Sequence, residues 1–165
     1  MGELVVYSFD SVCDKNSRIL ILGTMPSTAS IAAGMYYSHP RNAFWKIMCD
    51  LTGDDPGASN ENRRDFLIRH GVALWDTLSL CEREGSLDSN ISHEKPNGVA
   101  DLIRVCPNVS TVFLNGGAAL KYYKRYHAAK ISLPYFLLPS TSPANARGGY
   151  LKKADAWRIV AKYLI

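Results

Sequence analysis

Four short apolar runs, separated by helical patterns, constrain this chain more than any other feature. Arg18-Ile19-Leu20-Ile21-Leu22-Gly23 is apolar between its ends and stops on glycine, the pattern of a strand buried on both faces. Gly71-Val72-Ala73-Leu74-Trp75 is a second such run, stopping at Asp76; Val109 to Leu114 is a third and Pro134 to Leu138 a fourth. A helix is expected from near Ala43, where Ala43-Phe44-Trp45-Lys46-Ile47-Met48 sets apolar side chains at helical spacing and Asn42 takes the N-cap position. Residues 60 to 70 predict another helix, ended by Gly71. Asn97 is expected to cap one through Val105, stopped by Pro107. Gly116-Gly117 opens one through Tyr126, and a last runs from about Tyr150 to Leu164 with Lys152, Lys153, Arg158 and Lys162 on a basic face.

Strands alternating with helices predict an α/β fold: a three-layer sandwich around a four-stranded, mostly parallel sheet, one domain spanning residues 1 to 165. Right-handed crossovers then bring all four strand ends to one edge, and ligands of open α/β sheets bind in the crevice outside those ends. The polar loops fall there: Gly23 to Asn42, Asp76 to Ile91, Asn115-Gly116-Gly117, and Pro139 to Asn145.

With 47% apolar and 21% charged residues the chain has the balance of an ordinary globular chain and not of a disordered one. No run approaches a membrane span, and the acidic Met1-Gly2-Glu3 start lacks the basic flank of a secretory signal, so a cytoplasmic setting is expected. Cys13, Cys49, Cys81 and Cys106 are too scattered for a zinc or iron–sulfur site; they predict reduced, mainly buried thiols and no metal or other cofactor. The net charge of +4 is unevenly spread: residues 104 to 165 balance at +9 and residues 1 to 103 at −5. That asymmetry fits a polyanionic partner such as nucleic acid, and equally a set of solvated helix faces.

The first loop is the most informative. Gly23-Thr24-Met25-Pro26-Ser27 can turn backbone N–H groups toward a bound oxygen, and Tyr36-Tyr37-Ser38-His39-Pro40-Arg41-Asn42 follows it. Rings, an amide and a cation so close to one strand end suit stacking on a base with a polar group above it. Packing and turn formation explain the same residues.

In their order, these motifs resemble the uracil-DNA glycosylase superfamily. Gly23-Thr24-Met25-Pro26-Ser27 and His39-Pro40-Arg41-Asn42-Ala43-Phe44-Trp45-Lys46 look like its first motif. Gly71 to Asp76 is similar to its uracil-reading strand, and Pro139-Ser140-Thr141-Ser142-Pro143 to its closing Pro-Ser loop. The departures narrow the branch. Met25 stands where other members carry a water-handling acid or amide, and Asp76 where they carry the uracil-reading Asn. Together with Cys81, Arg83 and Gly85 to Ser89, these resemble the DNA-deoxyinosine (hypoxanthine-DNA) glycosylases.

The resemblance implies hydrolysis of the N-glycosidic bond of a deaminated nucleotide, most of all deoxyinosine, after the nucleotide is flipped from DNA. It assigns catalysis to Asn42, orienting a water, assisted by Asn115. Base contacts fall to Met25, Tyr37, Phe44 and Asp76, with Tyr37 stacking on the base. Asp76 would accept N1–H, but a carboxylate repels O6 unless a donor such as Asn115 covers that oxygen. DNA contacts fall to Ser27, His39, Arg41, Ser140, Thr141, Ser142, Arg147 and Lys152, with Lys153 adding charge. Asp88 either approaches the sugar or closes its own loop as a turn residue. His70, His93 and His127 are expected at the surface, and Trp45, Trp75 and Trp157 in the core. The partner is DNA carrying a deaminated base, with no membrane, and the chain is expected to be a monomer. Three rivals remain: a uracil or mismatched-thymine glycosylase of the same fold, a catalytically silent damaged-DNA binder, and a serine hydrolase on Ser27 or Ser140. The hydrolase lacks a Gly-x-Ser-x-Gly elbow.

Overall fold

The computed structural model describes residues 4–145 and 148–165. In chain order the elements are β1 (Val5–Tyr7), β2 (Ile19–Gly23), α1 (Thr28–Ala33), α2 (Phe44–Thr52), α3 (Asn60–Arg69), β3 (Val72–Asp76), β4 (Leu78–Glu82) and β5 (Ser92–Pro96). They continue with α4 (Val99–Val105), β6 (Thr111–Asn115), α5 (Gly117–Tyr126), β7 (Tyr135–Leu138) and α6 (Gly149–Trp157).

All four apolar runs are strands of one parallel sheet, in the order β3-β2-β6-β7. Alternate side chains of the runs feed two cores. Ile19, Ile21, Val72, Leu74, Phe113 and Leu138 pack with Phe44, Ile47, Met48, Phe66, Leu67 and Trp157, from α2, α3 and α6. On the opposite face Leu20, Leu22, Ala73, Val112 and Leu114 meet Val99, Leu102, Ala119 and Tyr123 of α4 and α5. Burial on both faces is why these strands read as unbroken apolar runs.

The register sets the functional edge. Gly23 pairs with Asp76, Leu22 with Leu114, and Asn115 with Leu138, so the carboxyl ends of the four strands lie side by side. Every connection that follows one of them crosses the same rim.

Several local expectations are corrected. The segment from Gly23 to Asn42 is not all loop: Ser27 caps α1, its Oγ accepting the Ser30 N–H at 3.1 Å. Asp76 to Ile91 carries β4, which with β1 and β5 forms a second, antiparallel sheet. Those strands are short, and β5, Ser-His-Glu-Lys-Pro, has no apolar run to read. Asn97 does not cap α4, whose N-cap is Gly98; its amide donates to the Asp76 and Leu78 carbonyls at 2.9 and 2.8 Å, tying β3 to β4. The last helix ends at Trp157 and tightens into a 3-10 turn, Arg158–Tyr163. His127 is buried, not superficial: its Nε2 lies 2.9 Å from the Thr77 carbonyl, and burial pulls its pKa below the ordinary value. Trp45 and Trp157 are core residues as expected, while Trp75 is half-buried with its indole N–H on the Phe9 carbonyl. Among the described residues no helix is long and apolar enough to cross a membrane.

Candidate active site

A cavity of about 300 Å³ opens at the carboxyl rim of the parallel sheet, at the small end of the ~300–1,000 Å³ range of ligand pockets. It is enclosed by the first loop, the β4–β5 connection and the loop after β7. Of the sequence-predicted residues, Met25, Ser27, Tyr37, His39, Asn42, Asp76, Asn115, Ser140, Thr141 and Ser142 line it. Asp88 lines it too.

The floor is built by close approach. A side chain on Gly23 would put its Cβ 2.7 Å from Asp76 Oδ1 and 2.8 Å from the Tyr37 hydroxyl. Only glycine there lets the aspartate and the tyrosine converge over the end of β2. Asp76 is 2% exposed, and its Oδ2 has no hydrogen-bond partner; the Tyr37 hydroxyl is likewise covered and unpartnered. An unpaired buried polar atom costs about 1–3 kcal/mol, and two of them meet at this one cavity floor. Loss of hydration pushes the Asp76 carboxyl up to about 8, helped by the charge of Asp88 and opposed by the Arg83 guanidinium. Burial, and then Asp76, raise the Tyr37 phenol, while Asn115 lowers it.

Tyr37 has φ of 56°, a left-handed backbone that non-glycine residues rarely adopt. Its ring is stacked on Phe44, centroids 4.4 Å apart at 30°. Phe44 is fully buried and does not line the cavity, which corrects its expected contact with the base: it braces Tyr37 from behind. Met25 faces the cavity but packs among Leu78, Cys81 and Tyr122, so the first turn contributes an apolar wall.

α2 begins at Phe44 and its N-cap is Ala43, not the expected Asn42; Asn42 Oδ1 instead accepts the Phe44 N–H at 3.0 Å, a turn that leads into the helix. Its Nδ2 makes no hydrogen bond among the described residues and is free to face the cavity. The Arg41 N–H donates to His39 Nδ1 at 3.0 Å, which leaves the neutral ring's own proton on Nε2.

Asn115 lines the cavity and also holds a neighbouring loop. Its Nδ2 donates to Thr141 Oγ1 and its Oδ1 accepts the Thr141 N–H, both at 3.0 Å. The amide latches the loop after β7 with its Oδ1 and one of its two Nδ2 protons, at the cavity wall. Thr141, 1% exposed, is that latch's other half; its carbonyl also accepts the Ala43 N–H at 3.0 Å, so its N–H, hydroxyl oxygen and carbonyl all bond within the protein. Ser140 and Ser142 stay half-buried, closing turns onto the Ser142 and Ala144 N–H groups. Close packing recurs here: Gly116, at φ of 102°, has no room for a Cβ beside Ser140.

The cations divide. Arg41 is exposed on a neighbouring groove and Lys152 is exposed on α6, both outside the cavity. Lys153 is buried and donates to the Ser142 carbonyl at 3.1 Å, so it supports the loop and presents no free charge. Arg147 lies outside the described residues.

Sequence reasoning gave Arg83 a place in the resemblance but no role. It is 4% exposed, donates through Nε to the Gly85 carbonyl at 2.9 Å and through Nη2 to the Pro26 carbonyl, and so ties the β4–β5 connection to the first loop. Ser86 adds a second tie, its Oγ accepting the Thr28 N–H at 3.0 Å. The one signal was an arginine two residues before a glycine.

Comparison with known proteins agrees with this geometry. The model of the uracil DNA glycosylase superfamily matches residues 9–163. A hypoxanthine DNA glycosylase of Methanosarcina barkeri (strain Fusaro / DSM 804) is 36% identical over 140 residues, covering 84% of this chain and 87% of its own. One from Methanosarcina acetivorans is 30% identical over 161 residues, 97% of this chain and 100% of its own. The solution NMR structure of a candidate uracil DNA glycosylase from Methanosarcina acetivorans superposes with a TM-score of 0.82 at 31% identity, covering 96% of this chain and 97% of that one. The chain belongs to the uracil DNA glycosylase superfamily.

Proposed function

We propose that this glycosylase removes deaminated bases from DNA, hypoxanthine foremost, by hydrolysing the N-glycosidic bond of a flipped nucleotide. The observation that carries the base assignment is Asp76: buried at the cavity floor, with an unpartnered oxygen and a carboxyl raised to about 8. Near neutral pH that group is a carboxylic acid, not a carboxylate. Its O–H donates to O6 of hypoxanthine and its carbonyl oxygen accepts N1–H, so one side chain satisfies the whole lactam edge. The repulsion expected between a carboxylate and O6 disappears without any help from Asn115. The names of the two Methanosarcina relatives point to the same base.

Tyr37, backed by Phe44, forms the face on which the purine lies, and Met25 adds apolar wall. Asn42, fixed by its bond to the Phe44 N–H, holds a water toward the sugar with its free amide group. Ser27, Ser140, Ser142 and His39 at the mouth, with Arg41 and Lys152 beyond it, meet the flanking phosphates. Uracil carries a similar lactam edge and is the nearest competitor. Oligonucleotides carrying hypoxanthine, uracil, xanthine or mismatched thymine separate these readings. Alkali-labile breaks are expected fastest at hypoxanthine and strongly slowed by Asn42→Ala. Preference for another base would overturn the assignment, and DNA binding without breaks at any base would leave only a damage-binding domain.

A further inference from the structure

We propose that Asp88 is a catalytic carboxylate of this site, receiving the proton of the water that attacks the sugar; the proposal rests on the glycosylase reading above. Hydrolysis needs somewhere for that proton to go, and the cavity offers few acceptors. Among the described residues, the only carboxyl groups lining it are Asp76 and Asp88. Asp76 lies on the floor, committed to the base. His39 accepts a backbone N–H on Nδ1 and carries its proton on Nε2, so neither nitrogen is open as a base. The Asn42 and Asn115 amides have no useful basicity. Asp88 remains, at the mouth, where the sugar of a flipped nucleotide must sit.

Asp88, whose side chain is 44% exposed, does not use its carboxylate to close its own turn. It opens the 3-10 turn Asp88–Asn90, yet the turn is closed by main-chain bonds: the Asn90 N–H donates to the Leu87 carbonyl and the Ile91 N–H to the Asp88 carbonyl. Its carboxylate makes no hydrogen bond among the described residues. The nearest cation is the buried Arg83 guanidinium, 3.9 Å from Oδ1, longer than the ~2.7–2.9 Å of a charge-assisted hydrogen bond. Arg83 commits Nε and Nη2 to the Gly85 and Pro26 carbonyls, which fixes the guanidinium with Nη1 toward Asp88. A fixed positive charge therefore stands behind the carboxylate without occupying its oxygens. The loop is pinned to α1 through Ser86 and Thr28, so the backbone that carries the acid is in place before substrate arrives.

In the step, the C1′–N bond breaks and its electron pair leaves with the base. The water oxygen bonds to C1′ as one of its protons passes to Asp88, which returns it to solvent through the open mouth. The departing base takes up a proton from solvent, and the products are free base and an abasic site. While the bond is breaking, the carboxylate also faces the positive charge that grows on the sugar.

The test is single-turnover cleavage of a deoxyinosine duplex by wild type, Asp88→Asn and Asp88→Ser, with binding to a duplex carrying a tetrahydrofuran abasic analogue and thermal midpoints measured alongside. Asp88→Asn is expected to slow cleavage on the order of 10²-fold. Its thermal midpoint should match wild type, and its duplex affinity should be equal or tighter, because a negative charge leaves a surface that faces phosphates. A rate within about threefold of wild type in both variants, a loss fully explained by weaker binding, or a lowered midpoint with affinity falling in parallel would each overturn the role. If wild type cleaves no base in the panel, the glycosylase reading fails first and the role of Asp88 falls with it. Cleavage by wild type and undiminished cleavage by the variants defeats Asp88 alone.

Discussion

At the scale of single residues the site is a set of placements that cost stability. Asp76 is the clearest. Its folded-state carboxyl is raised to about 8 from an ordinary 3.8, so between those values the folded chain holds a proton that the unfolded chain has lost. Stability contributed at this position is therefore present below about pH 4, drains away as pH rises to about 8, and changes no further above it. Asp76→Asn removes the titration. The variant's melting temperature should exceed wild type by a margin that is small near pH 4 and grows to a plateau near pH 8. Each tenfold change in proton affinity is worth ~1.4 kcal/mol, so the full effect is a few kcal/mol. Melting curves that stay parallel across that range would show that Asp76 is not held neutral. Asn42 permits a cleaner separation of roles. A serine hydroxyl can accept the same N–H two residues on, so Asn42→Ser should melt closer to wild type than Asn42→Ala, which loses that bond. Both should lose base release, on the order of 10²-fold, because neither keeps the amide that faces the cavity.

At the scale of elements, the wall after β7 depends on one reciprocal pair. Asn115 and Thr141 exchange two hydrogen bonds at the end of β6, and Thr141 also ties to Ala43 at the start of α2. Thr141→Val leaves the Asn115 amide short of a buried partner, and a loss of about 1–3 kcal/mol is expected. Asn115→Ala should cost a similar amount. In a double-mutant cycle the pair should lose clearly less than the sum of the single changes; simple additivity would mean that the latch does not form. The elements themselves were largely legible in the sequence because the parallel strands are buried on both faces, so Arg18–Gly23 or Val109–Leu114 allowed few other readings. The antiparallel sheet was not, because β5 is exposed and polar and β1 spans three residues. The same limit applies to side chains. Tyr37, Asn42 and Asp76 were legible as strand-end and loop residues. That Phe44 supports Tyr37, that Thr141 faces inward and that Lys153 is buried depended on packing that sequence patterns do not carry.

At the scale of the whole molecule, residues 104 to 165 carry the positive balance that suits the proposed DNA partner, and the parallel sheet supplies the rim where the site sits. Binding to duplex should weaken linearly with the logarithm of salt, with a slope of about 0.9 per phosphate neutralised. Titrations at increasing salt check this, and a flat response would contradict phosphate contact altogether. The central claim, that a neutral carboxylic acid at the floor of the cavity reads a lactam base, is tested most directly by the pH dependence of single-turnover hypoxanthine release from a deoxyinosine duplex. Wild type should slow as pH rises through about 8, where Asp76 ionises and turns against O6. Asp76→Asn, whose amide offers a donor and an acceptor at every pH, should keep its rate across the same interval. Two superimposable alkaline limbs would contradict the claim.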